Sequence, residues 1–277
     1  MTPVNSADDL PEAGRYREEK IRVYENGSAA DSLEPLIAEE PLSICIEGAF
    51  YSVVMRSPGE EKAHAAGFCL SEGIVARPED FAAIGFCREA GTDTASVALQ
   101  PERRKIIKPL LQHKKTAEKK SSCICDELTA AAPFRAFSPP ADSGAIGAEQ
   151  VLDCADRLSG YQSLHKKTRS AHAAMILDEK LGFLSFSEDV GRHNALDKAV
   201  GRVFLDGSID RAAVAVMSSR LAFELVQKAA CAQIAVMVGI SKPTALAVDF
   251  ARRTQMTLCC VKNRRLMVFC GAERIYF

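Results

Sequence analysis

Five short apolar runs decide how this chain folds: Ala173-Ala-Met-Ile-Leu177, Gly182-Phe-Leu-Ser-Phe186, Ala213-Val-Ala-Val-Met217, Ile234-Ala-Val-Met-Val238 and Thr257-Leu-Cys-Cys-Val261. Each has the length of a buried strand, and helical spacing fills the intervals at residues 194–205, 221–230 and 243–253. Strands that alternate with helices stack as layers, so the spacing predicts a layered α/β sandwich. A helix at 148–159 leads into it, and a last strand at 266–269 closes it.

Toward the N-terminus the pattern changes. Residues 1–18 are polar and acidic without period and predict a flexible tail. Strands are predicted at 20–24, 42–46 and 50–55, the last two joined at Glu47-Gly48 as a hairpin. Ser57-Pro-Gly-Glu-Glu61 has the form of a helix cap with proline in the first turn, which opens a helix through Ser71 with Ala63, Ala66, Phe68 and Leu70 on its apolar face. With strands at 83–88 and 95–99, residues 19–112 form a smaller α+β domain. A basic stretch runs from Arg103 to Lys120, and 114–126 has no apolar period ahead of Pro133, Pro139, Pro140 and Gly144. Residues 113–146 therefore predict a long basic loop, and 147–277 the layered domain.

Lys plus Arg number 35 against 36 Asp plus Glu, so the formal charge is -1 and the chain has no overall field to hold nucleic acid. No apolar stretch is long enough to span a membrane, and the polar N-terminus has no leader pattern, so the expectation is a cytoplasmic protein. The ten cysteines are unevenly spaced and often lie inside apolar runs, which suits buried thiols in a reducing compartment.

Three features carry chemistry. Cys123 and Cys125 stand one residue apart beside Lys119 and Lys120, a cationic setting that favours thiolate. They read equally as reactive thiols, half of a metal site or inert surface cysteines, and no second close Cys/His pair at finger spacing completes a zinc set. Ser187-Glu-Asp-Val-Gly-Arg-His-Asn-Ala-Leu-Asp-Lys198 packs charge where a strand end meets a helix, read either as a ligand site or as a capped, ion-paired helix start. Val216-Met-Ser-Ser-Arg220 and Val238-Gly-Ile-Ser-Lys-Pro-Thr244 set hydroxyls and cations at consecutive strand ends, which would line one sheet edge with anion-binding groups.

The run Glu188-Asp-Val-Gly-Arg-His-Asn-Ala-Leu-Asp-Lys198, followed by Ser219-Arg220, Pro243-Thr244 and Thr257-Leu258, resembles the formate dehydrogenase accessory sulfurtransferase family, FdhD/NarQ. Phe68-Cys-Leu-Ser-Glu-Gly-Ile74 and Ser121-Ser-Cys-Ile-Cys125 resemble its N-terminal helix and cysteine loop. The resemblance implies a cytidine-deaminase-like α/β domain with a smaller N-terminal domain, usually as a homodimer. It implies a sulfur carrier that takes sulfur from a cysteine desulfurase as a persulfide and passes it to the molybdenum cofactor, a bis(molybdopterin guanine dinucleotide), before insertion into the formate dehydrogenase apoenzyme. The carrier position falls on Cys123, with Cys125 assisting. The cofactor segment falls on Val261, Lys262, Asn263, Arg264 and Arg265, joined by Arg192, His193, Arg220 and Lys242; GDP or GTP would mimic part of the cargo. Neither nucleic acid, membrane nor a bound metal enters this reading.

The sequence departs from the family pattern. The cysteine loop is one residue shorter, and the family's Thr-Gly-Gly, Ser-Gly-Arg and Ser-Ala-Pro-Thr stand here as Thr168-Arg-Ser170, Ser218-Ser-Arg220 and Ser241-Lys-Pro-Thr244. The rival reading is a non-catalytic chaperone that binds the cofactor without need of Cys123. A zinc nucleoside deaminase is excluded, since neither His-x-Glu nor Pro-Cys-x-x-Cys occurs.

Overall fold

A computed structural model of the chain describes residues 14–88, 92–117 and 145–277. It opens with a two-stranded antiparallel ribbon, β1 (Tyr16–Glu25) and β2 (Ser28–Ile37). Asn26 and Gly27 both take positive φ, 52° and 83°, which matches the twist of a two-residue hairpin. Next come β3 (Glu40–Ile46), β4 (Ala49–Arg56), α1 (Glu61–Ser71), β5 (Phe81–Cys87) and β6 (Asp93–Leu99). Their strands form a four-stranded sheet in the order β4-β3-β6-β5. Helix α2 (Pro101–Ala117) follows.

The second part starts with β7 (Ile146–Gly147), α3 (Ala148–Tyr161) and α4 (Ser163–Thr168). It continues through β8 (His172–Leu177), β9 (Phe183–Asp189), α5 (Arg192–Leu205), β10 (Val214–Arg220), α6 (Phe223–Cys231), β11 (Val236–Ser241) and α7 (Ala245–Arg253). It ends with β12 (Thr257–Lys262), β13 (Arg265–Cys270) and β14 (Ile275–Tyr276). A six-stranded mixed sheet runs β13-β12-β11-β10-β8-β9, with β10, β11 and β12 parallel. The layered α/β expectation is met.

Alternation along the strands gives this sheet two cores. Met175, Val216, Val238 and Val261 pack with Val151, Leu152 and Leu158 of α3 on one face. Ile176, Met217, Met237 and Leu258 face the other way and join a single cluster that reaches through α5 and α1 to Leu42, Ile44 and Val97 of the four-stranded sheet. The α1–α5 contact is glycine-dependent: a Cβ at Gly201 would lie 1.8 Å from the Ala63 carbonyl oxygen, and one at Gly67 1.9 Å from that of Asp197. Helix α1 is buried from Ala63 to Leu70, all round rather than on one stripe, because sheet and helix enclose it.

Three expectations change. β1 begins at Tyr16, inside the expected tail, and Arg15 is buried because its guanidinium donates to the Glu188 carbonyl at 2.6 Å. The expected basic loop from 113 begins as helix, since α2 runs to Ala117 with Ile107 in the core and Arg103 donating to the Ile74 and Gly73 carbonyls, both at 2.6 Å. Ser57 caps nothing: α1 starts behind Glu60 in the left-handed region, and Ser57 bonds across to β9 and α5.

Candidate functional site

The charged run at 188–198 divides into two parts. Asp189 is fully buried at the end of β9 and accepts from the Ser57 amide at 3.0 Å, the Gly191 amide at 2.8 Å, Asn194 Nδ2 at 3.0 Å and Lys198 Nζ at 2.6 Å. Lys198 also donates to the Ser57 carbonyl at 2.7 Å, and Asn194 to the Met55 carbonyl at 2.7 Å. Asp197 accepts from Lys228 of α6 at 2.7 Å and from Ser71 of α1 at 2.8 Å. Glu188 accepts the Leu164 and His165 amides at 2.8 and 2.9 Å, which supplies partners to the start of α4. Burial raises the pKa of Glu188 and of Asp197, against the pull of these donors. Most of the run is thus a bolt between the four-stranded sheet and the larger unit, with each buried charge paired.

Arg192 and His193 are the part left at the surface. His193 is half-buried, with Nε2 3.0 Å from Glu224 Oε2; burial lowers its pKa to about 4 against that carboxylate, with Arg192 and Lys228 adding to the fall. Arg192 Nε is buried without a hydrogen-bond partner. His172 pairs with Asp189 in the β8–β9 register, and its pKa is lowered first by burial and then by Arg192 and His165.

His172 lines a cleft of about 890 Å³ along the carboxyl ends of β10, β11 and β12. Ser218, Ser241 and Val261 to Arg264 form its sheet side, Leu152, Ala155 and Leu158 of α3 its apolar side, and His165, Arg169 and Ser170 its rim. The edge where parallel strands end is where open α/β sheets take ligands. Lys262 pairs with Arg265 across a two-residue turn in which Asn263 and Arg264 both have positive φ, 52° and 53°. Arg264 leans back on α3, at 2.9 Å from Asp156, 3.3 Å from Glu149 and 3.8 Å from Asp153. Arg169 ends α4 at φ 57°, a left-handed position that favours glycine, and its exposed side chain stands at the cleft.

Of the residues expected to hold cofactor, Val261, Lys262, Asn263 and Arg264 line the cleft, and Arg192 and His193 at the start of α5 do not. Arg220 and Lys242 are exposed at the ends of β10 and β11, and Arg265 at the start of β13, all outside the lining. Burial raises the pKa of the Cys260 thiol, and the charges of Lys242 and Lys262 oppose that rise. His165 and His172 were not singled out by sequence; their signal was two histidines flanking the Thr168-Arg-Ser170 turn. Cys123 and Cys125 lie outside the described residues. Among the described residues no group of three His, Cys, Asp or Glu stands close enough for a metal ion, and no helix is long and apolar enough to cross a membrane.

Residues 37–276 match the FdhD/NarQ family. The chain is 34% identical over 272 residues to the sulfur carrier protein FdhD of Streptomyces coelicolor, covering 95% of this chain and 96% of that protein. It is also 34% identical over 256 residues to the protein of the same name from Mycobacterium tuberculosis, covering 87% and 92%. In three dimensions it is similar to a solved structure described as a formate dehydrogenase accessory protein from Desulfotalea psychrophila, with TM-score 0.74 and 23% identity over 94% of this chain and 99% of that one.

Proposed function

The chain belongs to the FdhD/NarQ family, and on that premise we propose that it is a sulfur carrier in formate dehydrogenase maturation. The observation that carries this is 34% identity, over 95% and 87% of the chain, to relatives named as sulfur carriers. In the finer reading, the Cys123 thiolate attacks the terminal sulfur of a desulfurase persulfide. The S–S bond there breaks, the desulfurase cysteine leaves as thiolate, and Cys123 keeps the sulfur as its own persulfide. The cargo that receives it is the molybdenum cofactor, a bis(molybdopterin guanine dinucleotide), in the cytoplasm.

The cleft supports the cofactor half of the reading. Phosphate oxygens of one nucleotide end suit Lys262 and Arg169 at its rim; Arg192, whose Nε is buried without a hydrogen-bond partner, lies outside the lining. The apolar wall of α3 suits a base. Arg220, Lys242 and Arg265 would reach a larger ligand that extends along the strand ends. A mixed sheet covered by helices supports the cytidine-deaminase-like description of the larger unit.

Mass spectrometry of the intact protein after incubation with a cysteine desulfurase and cysteine tests the carrier step. The expected result is a gain of one sulfur atom that Cys123→Ser abolishes and Cys125→Ser retains. A protein that gains no sulfur yet still binds GDP would instead be the non-catalytic cofactor chaperone.

A further inference from the structure

The cleft holds one side chain whose hydrogen-bonding sense is fixed by the backbone beside it. His165 of α4 is half-buried and lines the cleft. Its own backbone is held at both ends: the amide donates to Glu188 Oε1 at 2.9 Å, and the carbonyl accepts the Arg169 amide at 2.8 Å. Ring atom Nδ1 lies 2.9 Å from the carbonyl oxygen of Ala171. A carbonyl oxygen only accepts, so Nδ1 carries the hydrogen, and in the neutral ring Nε2 is left with a lone pair. Among the described residues Nε2 has no hydrogen-bond partner.

An acceptor in this place sorts what can lie against α4. A phosphate oxygen brings only lone pairs, and at Nε2 it would find repulsion rather than a bond. Other groups of the cleft have the opposite sense. Arg169 and Lys262 can only donate, and Ser218, whose oxygen accepts the Ala173 amide at 2.8 Å, has its own hydrogen to give. Lys166, Lys167 and Arg169 follow His165 along the same turn of chain, and cations so close favour the neutral ring. The Glu188 carboxylate, which would favour the imidazolium, is taken up by the Leu164 and His165 amides.

We propose that His165 Nε2 accepts a hydrogen bond from a ribose hydroxyl of the bound nucleotide, which makes His165 the specificity residue for the sugar. This rests on the reading of the cleft as a nucleotide site. On that reading the phosphates meet Arg169 and Lys262, and the base lies on Leu152, Ala155 and Leu158 of α3. The sugar joins the two. His165 stands between α3 and Arg169 along the chain, one helical turn, about 5.4 Å, ahead of Arg169. A sugar hydroxyl gives its hydrogen to Nε2 and keeps its lone pairs for water. A deoxy sugar takes water away from Nε2 and returns nothing, so the site discriminates against it by leaving an acceptor unpaired.

Calorimetric titration of the full-length protein with GDP, 2′-deoxy-GDP, 3′-deoxy-GDP and pyrophosphate tests it. The wild type should bind at least one of the deoxy nucleotides about 5- to 10-fold more weakly than GDP, and which one identifies the hydroxyl. In His165→Leu that ratio should fall to about one while pyrophosphate affinity stays as it was. His165→Gln, whose Oε1 also accepts, should restore part of the ratio, and circular dichroism should show both variants folded. Equal wild-type affinity for GDP and both deoxy nucleotides would overturn the proposal whether or not the variants fold. A loss in His165→Leu as large for the deoxy nucleotides as for GDP would overturn it and give Nε2 to the base. Weaker pyrophosphate binding in a folded His165→Leu would overturn it in favour of a phosphate. A wild type that binds no GDP would overturn the cofactor reading itself, and the proposal with it.

Discussion

Two charge-dense segments, 188–198 and 262–265, both sit at strand ends in this fold, and they do opposite things. In the first, Asp189 and Lys198 have no exposed side-chain surface and are locked to the backbone of Ser57, the residue after β4 of the smaller sheet. In the second, Arg264 is 59% exposed, and each of its three carboxylate partners on α3 is more exposed still. Charge density therefore did not separate site from structure; what lies above the strand end did. Where the four-stranded sheet seals the end of β9, charge must pair and becomes a bolt. Where β12 ends beside an open cleft, charge keeps its contact with water.

The contrast should break most sharply at Asp189. Asp189→Ala leaves Lys198 buried and unpaired, and chemical denaturation should show a loss of about 3–5 kcal/mol. A loss below about 1 kcal/mol would mean that water reaches the bolt. Next in size is Gly201→Ala, which pushes a methyl group into the Ala63 carbonyl and separates α5 from α1. It should cost about 1–3 kcal/mol in the same measurement, and an unchanged midpoint would show that the two helices can slide apart freely.

A third test uses protons. Burial lowers the pKa of His64 well below 6.5, with Lys198, Lys228 and Arg56 adding to the fall, and His172 and His193 are lowered as well. Below 6.5 the unfolded chain therefore binds protons that the folded chain refuses, and these histidines make stability fall as pH falls. Glu188 and Asp197, raised by burial, act in the opposite sense, so the readout is a difference between proteins. Between about pH 7.5 and 5.5 His64→Leu should lose less stability than the wild type, by on the order of 1 kcal/mol. Equal losses would mean that His64 is already solvated in the fold. The smallest effect belongs to the exposed turn: Arg264→Ala should change stability by less than about 1 kcal/mol, and a larger loss would place that turn with the bolt.

Much of this architecture was legible. The strands of the larger unit and its three central helices fall within a few residues of their predicted places, because period and turn chemistry are local. The Asn26-Gly27 hairpin was legible too and was passed over, since the strands around it are too polar to announce themselves. Helix α2 was hidden by Pro109 and its run of lysines and arginines; in the fold Ile107 is buried in the core and Arg103 is held by the Ile74 and Gly73 carbonyls. In the same way, Ser57-Pro58 has every mark of a cap, yet Asp189 and Lys198, more than 130 residues away, claim its backbone.

The sequence by itself determined the layered α/β class, through alternating apolar runs, and pointed to the family, through an ordered set of motifs. It also placed the turn at 262–265 at a strand end, where a cleft could form. Only the tertiary structure decided that Asp189, Asn194 and Lys198 are structural while Lys262 and Arg169 face the cleft. The reason is that a charged side chain's role depends on how much water it keeps, and that is set by the distant sheet packed over it, which neither residue type nor spacing encodes.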